Sequence, residues 1–131
     1  MKISILVAPI LMLPLFAANA WADCSAPATQ SEMAQCAGQA YSAADKKLNL
    51  AYNEYRARLS GEQKKQLTQA QLAWIKFRDL SCAFESSGVE GGSAYPMVRS
   101  ACLAAKTESR LQDIKTLQDC KEGDMSCPAR K

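Results

Sequence analysis

Between Thr29 and Leu59 apolar side chains return every three or four positions, at Met33, Cys36, Ala37, Ala40, Ala44, Leu48, Ala51, Tyr55 and Leu59. That period lets an α-helix turn one face to a core. Thr29 and Glu32 stand in capping-box register, which starts the helix there. No proline interrupts the run before Ser60-Gly61, so the pattern predicts about 30 residues of helix, about 45 Å long. A rod of that length needs support along its side.

Ser60 and Gln63 repeat the capping box. The connection at Ser60-Gly61 is short, which makes the next helix antiparallel to the first. Its apolar stripe is read as Leu67, Ala70, Trp74, Phe77, Ser81 and Phe84, with Gln71, Ile75, Arg78 and Cys82 beside it. Within AQLAWIKFRDLSCAFE, residues 70–85, this reading puts Trp74 and Phe77 in the core and Arg78 and Asp79 at its border. Trp74 and Arg78 are four apart and share a face. A guanidinium lying on the indole contributes about 0.5–1 kcal/mol when exposed.

SSGVEGGSAYP, residues 86–96, cannot continue a helix, because three glycines and Pro96 fall within it. A third helix is predicted to start between Ser93 and Pro96, since proline is accepted in a first turn. Val98, Cys102, Ala105, Leu111, Ile114 and Leu117 form its apolar face. Strand alternation and internal repeats are not apparent. The expected fold is all-α: an antiparallel three-helix up-down-up bundle with a thin, alanine-rich core, stapled by disulfides.

Composition changes this picture at both ends of the chain. Lys2, the apolar run Ile3 to Ala18 and the small-x-small triplet Ala20-Trp21-Ala22 read as a cleaved signal peptide over residues 1–22. Asp23 precedes Cys24, where a lipoprotein needs a small residue, so Cys24 is expected to be a disulfide partner and not a lipid anchor. Of 131 residues, losing 22 leaves 109, enough for one domain. We place that domain at 23–119, followed by a disulfide-pinned tail at 120–131. Removing Lys2 from 16 basic residues leaves 15 against 13 acidic, a net charge of +2. The charges are interspersed, which argues against a nucleic-acid footprint, and no second apolar run could span a membrane. A chain with such a leader is expected to be exported.

Six cysteines, Cys24, Cys36, Cys82, Cys102, Cys120 and Cys127, form an even set in a small exported chain and read as a disulfide framework. The chain has no histidine and no close Cys-x2-Cys pair, so neither a metal site nor a cofactor is expected. Bundle topology places Cys36, Cys82 and Cys102 near one end, lets Cys24 fold back to it, and leaves Cys120 for Cys127. The shortest loops then pair Cys24–Cys36 and Cys82–Cys102. Cys36–Cys82 with Cys24–Cys102 remains open beside them. Without histidine, Ser-His-Asp and Cys-His nucleophiles are impossible. Asp45 and Asp79 are the one acid pair worth testing for hydrolysis, and we expect no enzyme and no catalytic residue.

A set of short motifs runs in one order along nearly the whole mature chain. It comprises Cys24, Thr29-x-x-Glu32-Met33 and Cys36, then Ala43-Ala44-Asp45, Leu48-Asn49 and Tyr52. Ala70-Gln71-x-x-Trp74-x-x-Phe77-Arg78-Asp79-x-x-Cys82, Gly91-Gly92-Ser93 and Cys102-x4-Thr107-x2-Arg110 follow. This order resembles the LprI-type lysozyme-inhibitor family of small exported bacterial domains. The resemblance implies a helical, disulfide-bonded domain in the bacterial periplasm or outside the cell and, as partner, a lysozyme or another envelope protein.

The residues themselves suggest two roles. Asp45, Asn49 and Tyr52 fall on one face of the first helix, opposite Ile75, Gln71 and Thr68 across the hairpin. Asp45, Asn49, Gln71, Trp74, Arg78 and Asp79 are therefore expected to form a structural seam, with hydrogen bonds among Asn49, Gln71 and Arg78 that fix register. Thr107 and Arg110 are assigned packing and surface roles. The segment suited to entering a partner's cleft is 87–95, with Ser87, Glu90, Ser93 and Tyr95 as contact residues. An inhibitor of this kind would occlude the two-carboxylate cleft of a lysozyme without chemistry of its own. The alternative is an envelope interaction or scaffold protein that leaves lysozyme active. Oligomeric state is not legible.

Overall fold

The computed structural model describes residues 23–121 and 123–128; the expected signal peptide, residues 1–22, and the last residues of the tail lie outside them. Helix α1 spans Gln30–Ala57, α2 spans Gly61–Glu85, and α3 spans Tyr95–Gln118, with a 3-10 turn at Ser87–Val89 between the last two. No strand occurs among the described residues. The fold is the expected up-down-up bundle.

Both capping boxes are present. The Thr29 hydroxyl accepts from Glu32 N–H while the Glu32 carboxylate accepts from Thr29 and Ala28 N–H. Ser60 and Gln63 make the same exchange at the start of α2. Each box satisfies backbone donors that a helix start leaves bare. Pro96 sits in the first turn of α3, where its missing N–H costs nothing.

The closest pairing is between α1 and α3, the two parallel rods. Gln30 reaches Met97 at one end, and Gln118 Nε2 donates to Ala51 O at the other. Leu48, Ala51, Tyr55, Leu59, Leu111 and Ile114 form the buried cluster, and Leu67, Trp74 and Leu117 pack against it. Ala44 and Ala51 have no bulk beyond Cβ and are buried, which lets neighbouring backbone come close.

α2 lies antiparallel to both and turns inward a different row from the one expected. Gln71, Arg78 and Cys82 are buried, whereas Ala70 and Phe84 are exposed and Phe77 is 61 % exposed. Trp74 is half-buried. The helix is rotated by about one position, so the expectation that Phe77 is core and Arg78 its border is reversed. The physical reason is pairing: Arg78 finds two carboxylates, a hydroxyl and two rings inside, and its burial is thereby compensated. In α3 the inward row is Leu103, Thr107, Leu111 and Ile114, and the expected Ala105 is exposed. In α1, Ala40 is likewise exposed.

Disulfides join Cys24–Cys36, Cys82–Cys102 and Cys120–Cys127. The first ties the leading segment to α1, the second joins α2 to α3, and the third closes the turn after α3. Gln63 Nε2 donates to Pro128 O, which holds that last turn against the start of α2.

Candidate functional site

Arg78 is the organising side chain of the polar seam. Its residue is only 6 % exposed. Nε donates to Asp79 Oδ1 at 2.9 Å, and Nη1 lies 3.5 Å from Asp45 Oδ1 and 3.4 Å from Thr107 Oγ1. The guanidinium carbon stands 5.3 Å from the Tyr41 ring centre and 5.1 Å from that of Trp74. All three helices therefore converge on one cation. A planar, permanently charged group suits this place, because it stacks on rings while its edge donates. Arg110 extends the seam: its Nε donates to Gln71 Oε1 at 3.1 Å, and its guanidinium lies 5.8 Å from the Trp74 ring centre.

Burial pushes the Tyr41 phenol above its ordinary pKa; the Arg78 charge pulls the other way, and Asp45 and Asp79 add to the rise. Backbone N–H groups of Ala28 and Thr29 hold the Glu32 carboxyl below its usual range, as capping requires.

The structure brings Asp45, Trp74, Arg78 and Asp79 together and puts Gln71 beside them, with Arg110. Asn49 is a correction. It is exposed and donates to Asp45 Oδ2 on its own helix, not to Gln71. Asp45, one turn back on α1, takes its amide instead, while nearer the hairpin turn Tyr52 does face Thr68 as expected, its hydroxyl 3.1 Å from Thr68 Oγ1. Asp45 and Asp79 share one guanidinium between them, an arrangement that neutralises buried charge. Sequence reasoning missed the depth of Thr107, which is fully buried; its spacing of four from both Leu103 and Leu111 was the available signal.

The 87–95 segment is folded onto the bundle end and does not project as a finger. Ser87 Oγ donates to Phe84 O, and successive turns carry the chain through Gly92 N–H to Val89 O and Tyr95 N–H to Gly92 O. Gly91 takes φ +78°, which favours glycine. Ser87, Glu90 and Ser93 are exposed, and Tyr95 is half-buried as the first residue of α3. The Cys82–Cys102 bridge anchors both flanks.

Two further features were not anticipated. Cys120, Asp124 and Cys127 cluster at metal-binding distances, but the two sulfurs share one disulfide, which removes the thiolates a metal needs. On α2, Leu80 is 62 % and Phe84 80 % exposed, in line with Phe77. The signal was in the sequence: α2 carries two apolar rows, and only one can face a two-helix support. No helix among the described residues is long and apolar enough to cross a membrane.

Comparison with known proteins places these features in context. The family described as "Lysozyme inhibitor LprI" matches residues 22–114. An uncharacterized protein of Rhizobium meliloti (strain 1021) is 34 % identical, over 76 % of this chain and 81 % of its own. The crystal structure of a DUF1311 family protein from Pseudomonas putida KT2440 superposes with a TM-score of 0.66 at 22 % identity. That match covers 71 % of this chain and 97 % of the other, and it shows a shared fold.

Proposed function

We propose, from a chain that belongs to the LprI lysozyme-inhibitor family, that it acts in the periplasm or outside the cell by binding a lysozyme and covering its cleft. Family membership over residues 22–114 is the observation that carries this reading. Three disulfides add support, since such a framework persists in oxidising compartments. The proposed contact surface is the bundle end bearing Ser87, Glu90, Ser93 and Tyr95. Its turns and the adjacent Cys82–Cys102 bridge limit the freedom lost on binding, which favours affinity. Glu90 supplies an exposed carboxylate for the basic rim of a cationic muramidase.

The test is turnover of lysozymes from several structural classes with and without the oxidised mature protein. Saturable inhibition of one class, weakened by Glu90→Ala or Tyr95→Ala, supports the reading. Full turnover at high micromolar excess rejects it for that panel and leaves the envelope-scaffold alternative.

A further inference from the structure

The exposed row on α2 has a definite pattern. Gln66, Ala70, Ala73, Phe77, Leu80 and Phe84 follow one another at steps of four, three, four, three and four, and all six are exposed. Steps alternating between three and four mark the narrow stripe of a helix-pairing seam, whereas a helix embedded in a core shows a broader face. The inward face of α2 is already occupied by α1 and α3, so this row is a second one. At 18 residue steps it is about 27 Å long.

The row is also polarised by size. Its large members, Phe77, Leu80 and Phe84, fill the C-terminal half, and Ala70, Ala73 and Gln66 fill the N-terminal half. A two-fold axis across the row near position 75 sets Phe77 against Ala73, Leu80 against Ala70 and Phe84 against Gln66 of a second copy. Each bulky side chain then meets a small or flexible one. A parallel pairing would crowd the large residues together.

We propose that α2 is a self-association surface and that two copies of this chain pair through it, helix against antiparallel helix. Such a surface is isologous, as two-fold symmetry requires. The interface is small. One helix pair of this length covers on the order of 1,000 Å² in total, the low edge for specific complexes. Lys76 flanks the middle of the row, where it approaches its own copy at the solvent rim. Both facts make the dimer weak and concentration-dependent. The Lys106 ammonium, 5.6 Å from the Phe77 ring centre, and its 2.9 Å ion pair with Glu85 hold the edge of the surface in place.

Sedimentation equilibrium of the oxidised mature protein across micromolar to millimolar concentration tests this. A monomer–dimer equilibrium is expected, weakened roughly tenfold or more by Phe77→Glu, since the charge would be buried in an apolar seam. Leu50→Glu, at an equally exposed leucine on α1, should leave it unchanged. Circular dichroism melting checks that each variant is folded. Orientation is read from spin labels at Glu62, which lie about 40 Å apart in the antiparallel pair and far closer in a parallel one. A monomer at every concentration, a dimer indifferent to Phe77→Glu, or a short label distance each overturns the proposal.

Discussion

The two interfaces inside this bundle are built by different physics. Between α1 and α3 the contact is apolar, with Leu48, Tyr55, Leu111 and Ile114 almost wholly removed from water. Between α2 and that pair it is largely polar and aromatic, centred on Arg78, Gln71 and Trp74 and closed by Cys82–Cys102. Apolar burial is strong but indifferent to small shifts in register. A guanidinium that must meet Asp45, Asp79 and Thr107 at once tolerates few registers. The first interface therefore supplies cohesion, and the second specifies where α2 sits.

This contrast can be broken most severely at the apolar seam. Ile114→Ala should lower unfolding stability by about 2–5 kcal/mol, toward the upper end because the residue has no exposed surface; urea titration measures it. Next comes the covalent staple. Replacing Cys82 and Cys102 together by alanine should cost about 3 kcal/mol for a loop of this length, and hydrogen exchange should show α2 opening before α1 and α3. Arg78→Met, which keeps the bulk and removes the charge, should cost about 1–3 kcal/mol. Arg78→Lys should recover little of this, because an ammonium cannot both stack on two rings and donate sideways. A lysine variant as stable as the parent would show that charge alone, not planar geometry, holds α2.

The smallest effect is a pH dependence. The Tyr41 phenol has a raised folded pKa, so its un-ionised form is favoured by folding. Its contribution is complete below the unfolded value of about 10 and is lost as pH rises from there through the folded value. Stability should fall slightly over that alkaline window. Tyr41→Phe should flatten the slope, and phenolate absorbance should show one late-titrating tyrosine.

The same contrast explains what the sequence revealed. Helix starts were legible because Thr29–Glu32 and Ser60–Gln63 act locally, and the α1 face was legible because its period is apolar. The face of α2 was not. Phe77 and Phe84 look like core residues, and Arg78 and Gln71 look like surface, yet the reverse holds. Periodicity ranks residues by hydrophobicity and cannot see that a buried cation will find Asp45 and Thr107 on the other two helices as well as its neighbour Asp79. Asn49 failed for a related reason: its nearest acceptor, Asp45, is on its own helix. At the candidate contact surface, three glycines announced a break in the helix. They did not announce that Ser87 would fold back on Phe84 and keep the segment close to the bundle.

The six cysteines are bonded in three consecutive pairs, at separations of 12, 20 and 7, and no bridge encloses another. For a chain that enters an oxidising space with its N-terminus first, order of arrival and order of pairing are therefore the same. Cys24 meets Cys36 before Cys82 has appeared, and Cys82 and Cys102 are joined before Cys120 arrives. Native connectivity then follows from simple succession, and thiol–disulfide exchange to correct a mispaired intermediate is not required.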